Sequence, residues 1–192
     1  MTRRLRIYLA GPEVFLSDAK AAGERKTALC AQYGFEGLFP LESEALDDGV
    51  ERSLSIYRAN RAMILAADGA IFNLTPFRGP SADAGTVFEL GLCAGLGKPV
   101  FAYSNEDGAL LDRIKRDMGA TFDAATGRWR DALGMTIEDF GHADNLMLGG
   151  CLTEQGRRLT QRRTAPDERF TDLSGFRLCL EHAAQHFRVA LE

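Results

Sequence analysis

Short apolar runs alternate along the first half of the chain with longer segments whose apolar residues recur at helical spacing. Each run ends at a glycine, a proline or a polar loop, which is typical of buried strands. The runs predicted as strands are 6–10, 35–39, 69–74 and 99–103. The segments predicted as helices are 17–33, with Ser17 as N-cap, 51–67, and 84–96, with Gly97 as the stop. This alternation favours right-handed crossovers and a mostly parallel sheet, which binds ligands at the carboxyl ends of its strands.

The pattern weakens after residue 104. A helix is predicted over 110–118, and the Gly-, Ala- and Thr-rich stretch 119–136 is predicted as a loop or insertion. A fifth strand is expected between residues 145 and 172. The chain ends in an amphipathic pattern that predicts a helix over 173–191.

Composition places the chain among ordinary globular proteins. Its 192 residues are 45% hydrophobic and 26% charged, which favours one domain over 1–192 and excludes collagen-like, coiled-coil and wholly disordered classes. The net charge is −4 and the pI about 5.5, which argues against a protein that coats nucleic acid. No apolar run approaches the roughly 20 residues of a membrane span, and the run after the basic N-terminus is too short for a signal peptide.

Three further features are given no catalytic role. The four cysteines are widely spread and form no C-x-x-C pair, which is typical of reduced thiols and predicts a cytoplasmic protein. His182 and His186 have the i, i+4 spacing of metal ligands, but no third ligand is evident, so no metal is expected. The arginines in 157–163 are diluted by nearby acids and are predicted to lie on a solvated helix face rather than to form an anion or nucleic-acid site.

The strongest candidate chemistry lies between residues 73 and 91, where an α/β sheet places its ligands. Asp83 falls at the junction of a loop and a helix, and Glu89 falls on the second helical turn. Gly85 and Gly91 remove side-chain bulk beside them. Two carboxylates at such a cleft suit glycosidic chemistry. Spacing alone leaves another interpretation open, in which Asp83 is only a helix cap and Glu89 only a solvated helix residue.

Four blocks of the sequence resemble the nucleoside 2-deoxyribosyltransferase family. The first, Ile7 to Pro12 with Phe15, resembles the opening Y-x-A-G-P-x-x-F of that family. The others resemble its second-helix block, its D-x-G-T-x-F-E-x-G core and its late N-L-M segment, and lie at 55–68, 68–91 and 144–148. The blocks follow the family's order and cover about residues 6–148, whereas 150–192 is a diverged segment.

The resemblance implies an α/β fold, a single-domain Rossmann-like (flavodoxin-like) parallel sheet of about five strands flanked by helices. It implies an enzyme that transfers 2-deoxyribose between nucleobases by a retaining double displacement. The expected partners are deoxynucleosides and free nucleobases, with no cofactor, no nucleic acid and no membrane. The resemblance also implies a homo-oligomer with shared active sites.

The resemblance also implies residue roles. Glu89 matches the nucleophile that forms a covalent 2-deoxyribosyl intermediate. Asp83 matches a carboxylate that binds the sugar and can assist proton transfer, and Tyr8 matches a tyrosine that orients the nucleophile. Asn145 and Met147 match residues that reach the sugar from a neighbouring subunit.

The base side of the predicted site is less defined. Asn60 falls where some members have an Asp that handles the proton of the base, so the proton donor for the leaving base stays open. Glu44 is a candidate contact to the base, in an acidic segment, 41–50, predicted as a loop. Gly11 and Gly85 complete the expected substrate-binding positions.

Two other functions compete with the transferase. One is an N-glycosidase that hydrolyses 2-deoxynucleoside 5′-monophosphates with water as acceptor. That enzyme needs a phosphate cradle, whereas the first loop here has a proline without an amide and an acid, Glu13, expected to repel phosphate. The other is a non-catalytic nucleoside- or nucleotide-binding module, against which the intact Asp83 and Glu89 weigh.

Overall fold

A five-stranded parallel sheet forms the centre of the computed structural model, which describes residues 3–40 and 51–189. The described strands are β1 (Arg6–Ala10), β2 (Glu36–Leu38), β3 (Gly69–Asn73), β4 (Val100–Ser104), β5 (Thr121–Asp123), β6 (Arg128–Arg130) and β7 (Thr160–Gln161), of which β5 and β6 pair apart from the central sheet. The sheet order is β2-β1-β3-β4-β7, the flavodoxin-like order, in which the order of strand addition reverses between β1 and β3 while all strands stay parallel. The predicted fold class is confirmed.

Six helices flank the sheet, and the core lies on both of its faces. The helices are α1 (Ala19–Gln32), α2 (Arg52–Ala66), α3 (Ala84–Gly95), α4 (Leu110–Asp117), α5 (Leu146–Glu154) and α6 (Ser174–Phe187). Ile7 and Leu9 of β1 point toward α1 and α6, whereas Tyr8 and Ala10 point toward α2, α3 and α5. The central strands are therefore apolar without interruption, because both faces are covered.

Several predicted boundaries shift. The first helix begins at Ala19 after Asp18, not after Ser17, because Pro12–Phe15 forms a 3-10 turn of its own first. The stretch 119–136 was predicted as a loop or insertion, but β5 and β6 pair there as an antiparallel hairpin. The terminal helix ends at Phe187 rather than residue 191.

The fifth strand of the sheet lies in the predicted window but has only two residues. Its brevity leaves the first half of β4 at the sheet edge, where the side chain of Gln155 takes the place of a strand. Gln155 Oε1 accepts from Val100 N at 2.8 Å, and Gln155 Nε2 donates to Lys98 O at 3.2 Å. A side-chain amide thus satisfies backbone groups that would otherwise lack a partner. In the described ranges, no helix has the length and apolar character to cross a membrane.

Candidate active site

Three elements bring polar side chains to one carboxylate. Glu89 lies on the second turn of α3, Tyr8 on β1 and Asn60 on α2. Tyr8 Oη donates to Glu89 Oε1 at 2.8 Å, and Asn60 Nδ2 donates to the same oxygen at 3.1 Å. In the described part of the chain, Oε2 of Glu89 has no hydrogen bond. Two donors from different elements therefore hold the same oxygen of Glu89 in place.

The environment of Glu89 sets its basicity. Burial raises its pKa above the ordinary value and the charge of Asp83 adds to this, whereas the hydrogen bonds from Tyr8 and Asn60 act in the opposite direction. Tyr8 is fully buried, and its pKa is raised by burial and by the charge of Glu89, so it remains a protonated donor. Glu89 is half-buried and oriented. Its interpretation as a merely solvated helix residue is wrong.

Asp83 caps the N-terminus of α3. Its Oδ2 accepts from Thr86 N at 2.9 Å and from Thr86 Oγ1 at 3.1 Å. The capping interpretation is thus confirmed, yet only one carboxylate oxygen is used for it, and Asp83 still acts electrostatically on Glu89. A Cβ at Gly85 would lie 3.1 Å from Asp83 Oδ2, whereas one at Gly91 would meet nothing within 4 Å. Of these two glycines, Gly85 relieves crowding beside a carboxylate and Gly91 does not.

Two charged residues that the sequence did not single out hold the loop before Asp83. Asp144, which is 4% exposed, accepts from Ala82 N at 2.9 Å and from the hydroxyl of Ser81. Arg113 Nε donates to Pro80 O at 2.8 Å. These bonds fix the approach of the chain to α3. The only sequence signal was that Asp144 begins the late N-L-M block.

Gly11 permits a close approach within the first loop. A Cβ at this position would lie 2.2 Å from Glu13 Oε2 and 2.6 Å from Asn73 Cβ. Glu13 is 1% exposed and pairs with Lys26 Nζ at 2.5 Å. The expectation that Glu13 repels phosphate at the cleft is therefore wrong, because its charge is buried and neutralised. This pair has no signal in the sequence, since Lys26 lies on α1, whose amphipathic pattern is weak.

Asn145 and Met147, the two residues predicted to act across subunits, lie at the start of α5. Asn145 caps α5, accepting from Met147 N at 3.0 Å, and donates to Glu138 Oε1 at 2.6 Å. Met147 is 71% exposed. No hydrogen bond in the described residues joins either one to Glu89 of the same chain. Glu44 lies outside the described residues.

Metal ligands do not cluster at this site. Within residues 3–40 and 51–189, no three His, Cys, Asp or Glu side chains form a group that could hold a metal ion. His182 and His186 lie on α6, on the sheet face opposite α3.

Comparison with known proteins gives one family. The family model for nucleoside 2-deoxyribosyltransferase matches residues 7–147. A 2-desoxiribosyltransferase from Leishmania mexicana is 29% identical, with 93% of this chain and 98% of that chain covered and a TM-score of 0.60. An uncharacterized protein from Schizosaccharomyces pombe is 29% identical over 164 residues, 78% of each chain. A conserved protein from Enterococcus faecalis V583, 20% identical, covers 94% of this chain and 99% of its own with a TM-score of 0.53, and shows the fold alone. Because that model matches residues 7–147, which is most of its length, this chain belongs to the nucleoside 2-deoxyribosyltransferase family.

Proposed function

We propose that this protein transfers 2-deoxyribose between nucleobases through a covalent deoxyribosyl ester on Glu89. The observation that carries the proposal is the pair of hydrogen bonds from Tyr8 and Asn60 to one oxygen of Glu89, which leaves the other oxygen open. A nucleophile fixed by two donors at a cleft is the arrangement that covalent glycosyl transfer needs.

The first half of the reaction forms the ester. Oε2 of Glu89 attacks C1′, and the C1′–N bond breaks with its electron pair going to the base. The leaving base takes up a proton, because a protonated nitrogen departs more easily. Asn60 cannot supply this proton, since a carboxamide has no acidic proton at neutral pH. Asp83 is the nearby titratable group that can assist, with one oxygen free of the cap.

The second half restores the enzyme. A ring nitrogen of an incoming base attacks C1′, the ester C–O bond breaks, and its electron pair returns to the Glu89 carboxylate. The proton that the attacking nitrogen loses returns to the group that protonated the leaving base, for which Asp83 is the candidate. Two displacements give net retention. Tyr8 and Asn60 stabilise the carboxylate as its charge returns, so they favour this half of the cycle.

The proposal includes sites shared between subunits of a homo-oligomer. It is supported by apolar side chains exposed on the sheet face that carries α2, α3 and α5. Tyr57, Phe88 and Met147 are 46, 57 and 71% exposed, and the rings of Tyr57 and Phe88 lie 6.4 Å apart. Such a patch is typical of a surface that another subunit covers.

We also propose one domain over 1–192 and a cytoplasmic enzyme of nucleoside salvage, as the dispersed cysteines and the substrate class suggest.

Base exchange tests the activity directly. The protein is incubated with deoxyinosine and free adenine, and chromatography should show deoxyadenosine and hypoxanthine. Without an acceptor base, mass spectrometry of the quenched enzyme should show a deoxyribosyl group on the peptide that contains Glu89. Parallel reactions use inosine and a deoxynucleoside 5′-monophosphate. A higher kcat/KM for the monophosphate, with free sugar phosphate as product, would establish the hydrolase instead.

Complementation tests the shared site. Glu89→Ala and Asn145→Ala should each be nearly inactive alone. In mixed dimers, one site inherits both defects and the other inherits neither, so random assembly leaves about a quarter of all sites intact. Activity no greater than the sum of the two variants, in a pool shown to contain mixed oligomers, would mean that each site is built within one chain.

A further inference from the structure

A cavity of about 550 Å³ lies between α6 and the segment that leads into β7. Phe101 and Ala102 of β4 form part of its wall, and Gln155 closes one side. None of Tyr8, Asp83 and Glu89 lines it. It is therefore separate from the candidate active site.

Among the described residues, the lining of this cavity is basic and contains no carboxylate. Its charged and titratable groups are two guanidinium groups, two imidazoles and one buried thiol, from Arg157, Arg158, His182, His186 and Cys179. The arginines were predicted to lie on a solvated helix face, but residues 157–159 form no helix and lead directly into β7. Their side chains therefore face a concave surface instead of one side of a helix.

Neutral groups hold the Arg157 guanidinium in place. Its guanidinium lies over the ring of Phe101, 4.3 Å from the centroid, and Nη1 donates to Gln155 Oε1 at 2.7 Å. Across the described residues, neither Arg157 nor Arg158 forms an ion pair, and Nε and Nη2 of Arg157 have no hydrogen bond. Arg163, in the same basic segment, pairs with Asp107 at 2.9 Å. Arg157 is thus a partly buried cation, oriented by neutral groups, with two donor atoms unused.

The electrostatics agree with this geometry. The pKa of Arg157 is lowered by burial, and the pKa of His186 is lowered by burial and by the charge of Arg157. The ring of His186 lies 6.0 Å from that of Phe101, on the same wall. No acid among the described residues compensates the positive charge in the cavity, and a bound anion would offset the free-energy cost of burying that charge.

We propose that this cavity binds a phosphate group through Arg157 and Arg158, with the two imidazoles of α6 as further donors. A planar guanidinium matches phosphate oxygens in a bidentate manner. Small-molecule sites span about 300–1,000 Å³, so the volume admits a phosphorylated small molecule as well as free phosphate. This second site does not depend on the proposed transfer reaction.

Histidine resonances of the full-length protein test the proposal. Inorganic phosphate and deoxyadenosine 5′-monophosphate are titrated separately while the ring signals of His182 and His186 are followed by NMR. We expect saturable shifts and a higher pKa for His186 in the bound state. Sodium chloride at matched ionic strength should reproduce neither. Comparable affinity for the two probes identifies free phosphate as sufficient, and tighter binding of the ester identifies a phosphorylated metabolite.

Matched variants distinguish a specific phosphate site from non-specific attraction between the basic segment and anions. Arg158→Gln and Arg157→Gln should each weaken binding at least 10-fold, whereas Arg163→Gln, from the same basic segment but outside the cavity, should leave it unchanged. Arg158 is exposed, so its variant remains informative if Arg157→Gln does not fold. Equal losses in all three variants, or equal shifts with chloride, would overturn the proposal.

Discussion

Tyr8→Phe removes one hydroxyl from the core and with it the shorter of the two hydrogen bonds to Glu89. A hydrogen bond to a charged group contributes about 1.5–3 kcal/mol. The bond stabilises the carboxylate more than the ester, so its loss acts most on the step in which Glu89 leaves C1′. That step should slow by about 10- to 150-fold, since 1.36 kcal/mol corresponds to a factor of ten.

The same substitution should move the pH dependence. Burial raises the pKa of Glu89 and the bond from Tyr8 lowers it, so removing the bond raises the pKa further. Activity requires the ionised carboxylate and is lost as pH falls through this pKa. The acidic limb of kcat/KM should therefore shift upward by about one to two pH units, from 1.36 kcal/mol per unit.

Stopped reactions across pH 4–8 measure both effects, and quenched mass spectrometry should show more deoxyribosyl-enzyme than in wild type. Tyr103→Phe is the matched control. Tyr103 is equally buried and its hydroxyl donates to a carboxylate, Glu13, at 2.9 Å, but it packs on the opposite sheet face. An acidic limb that stays in place in Tyr8→Phe, or that shifts equally in Tyr103→Phe, would refute the role given to Tyr8.

Three other changes have defined outcomes. Glu89→Gln should reduce base exchange by more than about 10³-fold. It should also raise the thermal midpoint of unfolding at pH 7. The pKa of Glu89 is higher in the folded protein than in the unfolded chain, so the ionised carboxylate destabilises the fold at that pH. An unchanged rate of base exchange or a lower midpoint would contradict this. Gly11→Ala should cost about 1–3 kcal/mol of unfolding free energy by overpacking against Glu13 and Asn73, measured by urea titration, whereas Gly91→Ala should cost nothing. Excess chelator should leave base exchange at full rate, and loss that a divalent ion restores would reverse that expectation.

Much of the sheet could be predicted because its strands are buried on both faces and are continuously apolar. The position of β7 could not be predicted, because a strand of two residues is too short to show the alternation of apolar and polar side chains. The hairpin of β5 and β6 was missed for a related reason: it is largely exposed, and the Phe122–Trp129 ring pair that stabilises it crosses the turn. The Gly and Thr residues of the turns dominate the composition of 119–136, so the whole segment is predicted as a loop.

Some features of the candidate site can likewise be predicted from the sequence, and others cannot. Glu89, Tyr8 and Asp83 are predicted because they lie in motifs, and the structure brings Glu89 and Tyr8 into contact. The pairing of Glu13 with Lys26 is not predicted, because a buried ion pair between a loop and a helix has no sequence period. A charged residue in a sequence is read as exposed by default; only the fold shows that Lys26 is covered by aromatic rings.

The amide of Gln155 at the margin of β4 bears on how this protein avoids self-association while it folds. An exposed edge strand is a template on which another chain can add a strand, and long, apolar edge strands promote aggregation. β4 is continuously apolar, and its final neighbour arrives late in the chain and contributes only two residues. By occupying Val100 N and Lys98 O, one side chain blocks the positions where an incoming strand would begin to pair. A single side-chain amide thus covers part of a strand edge that its short neighbour β7 leaves open.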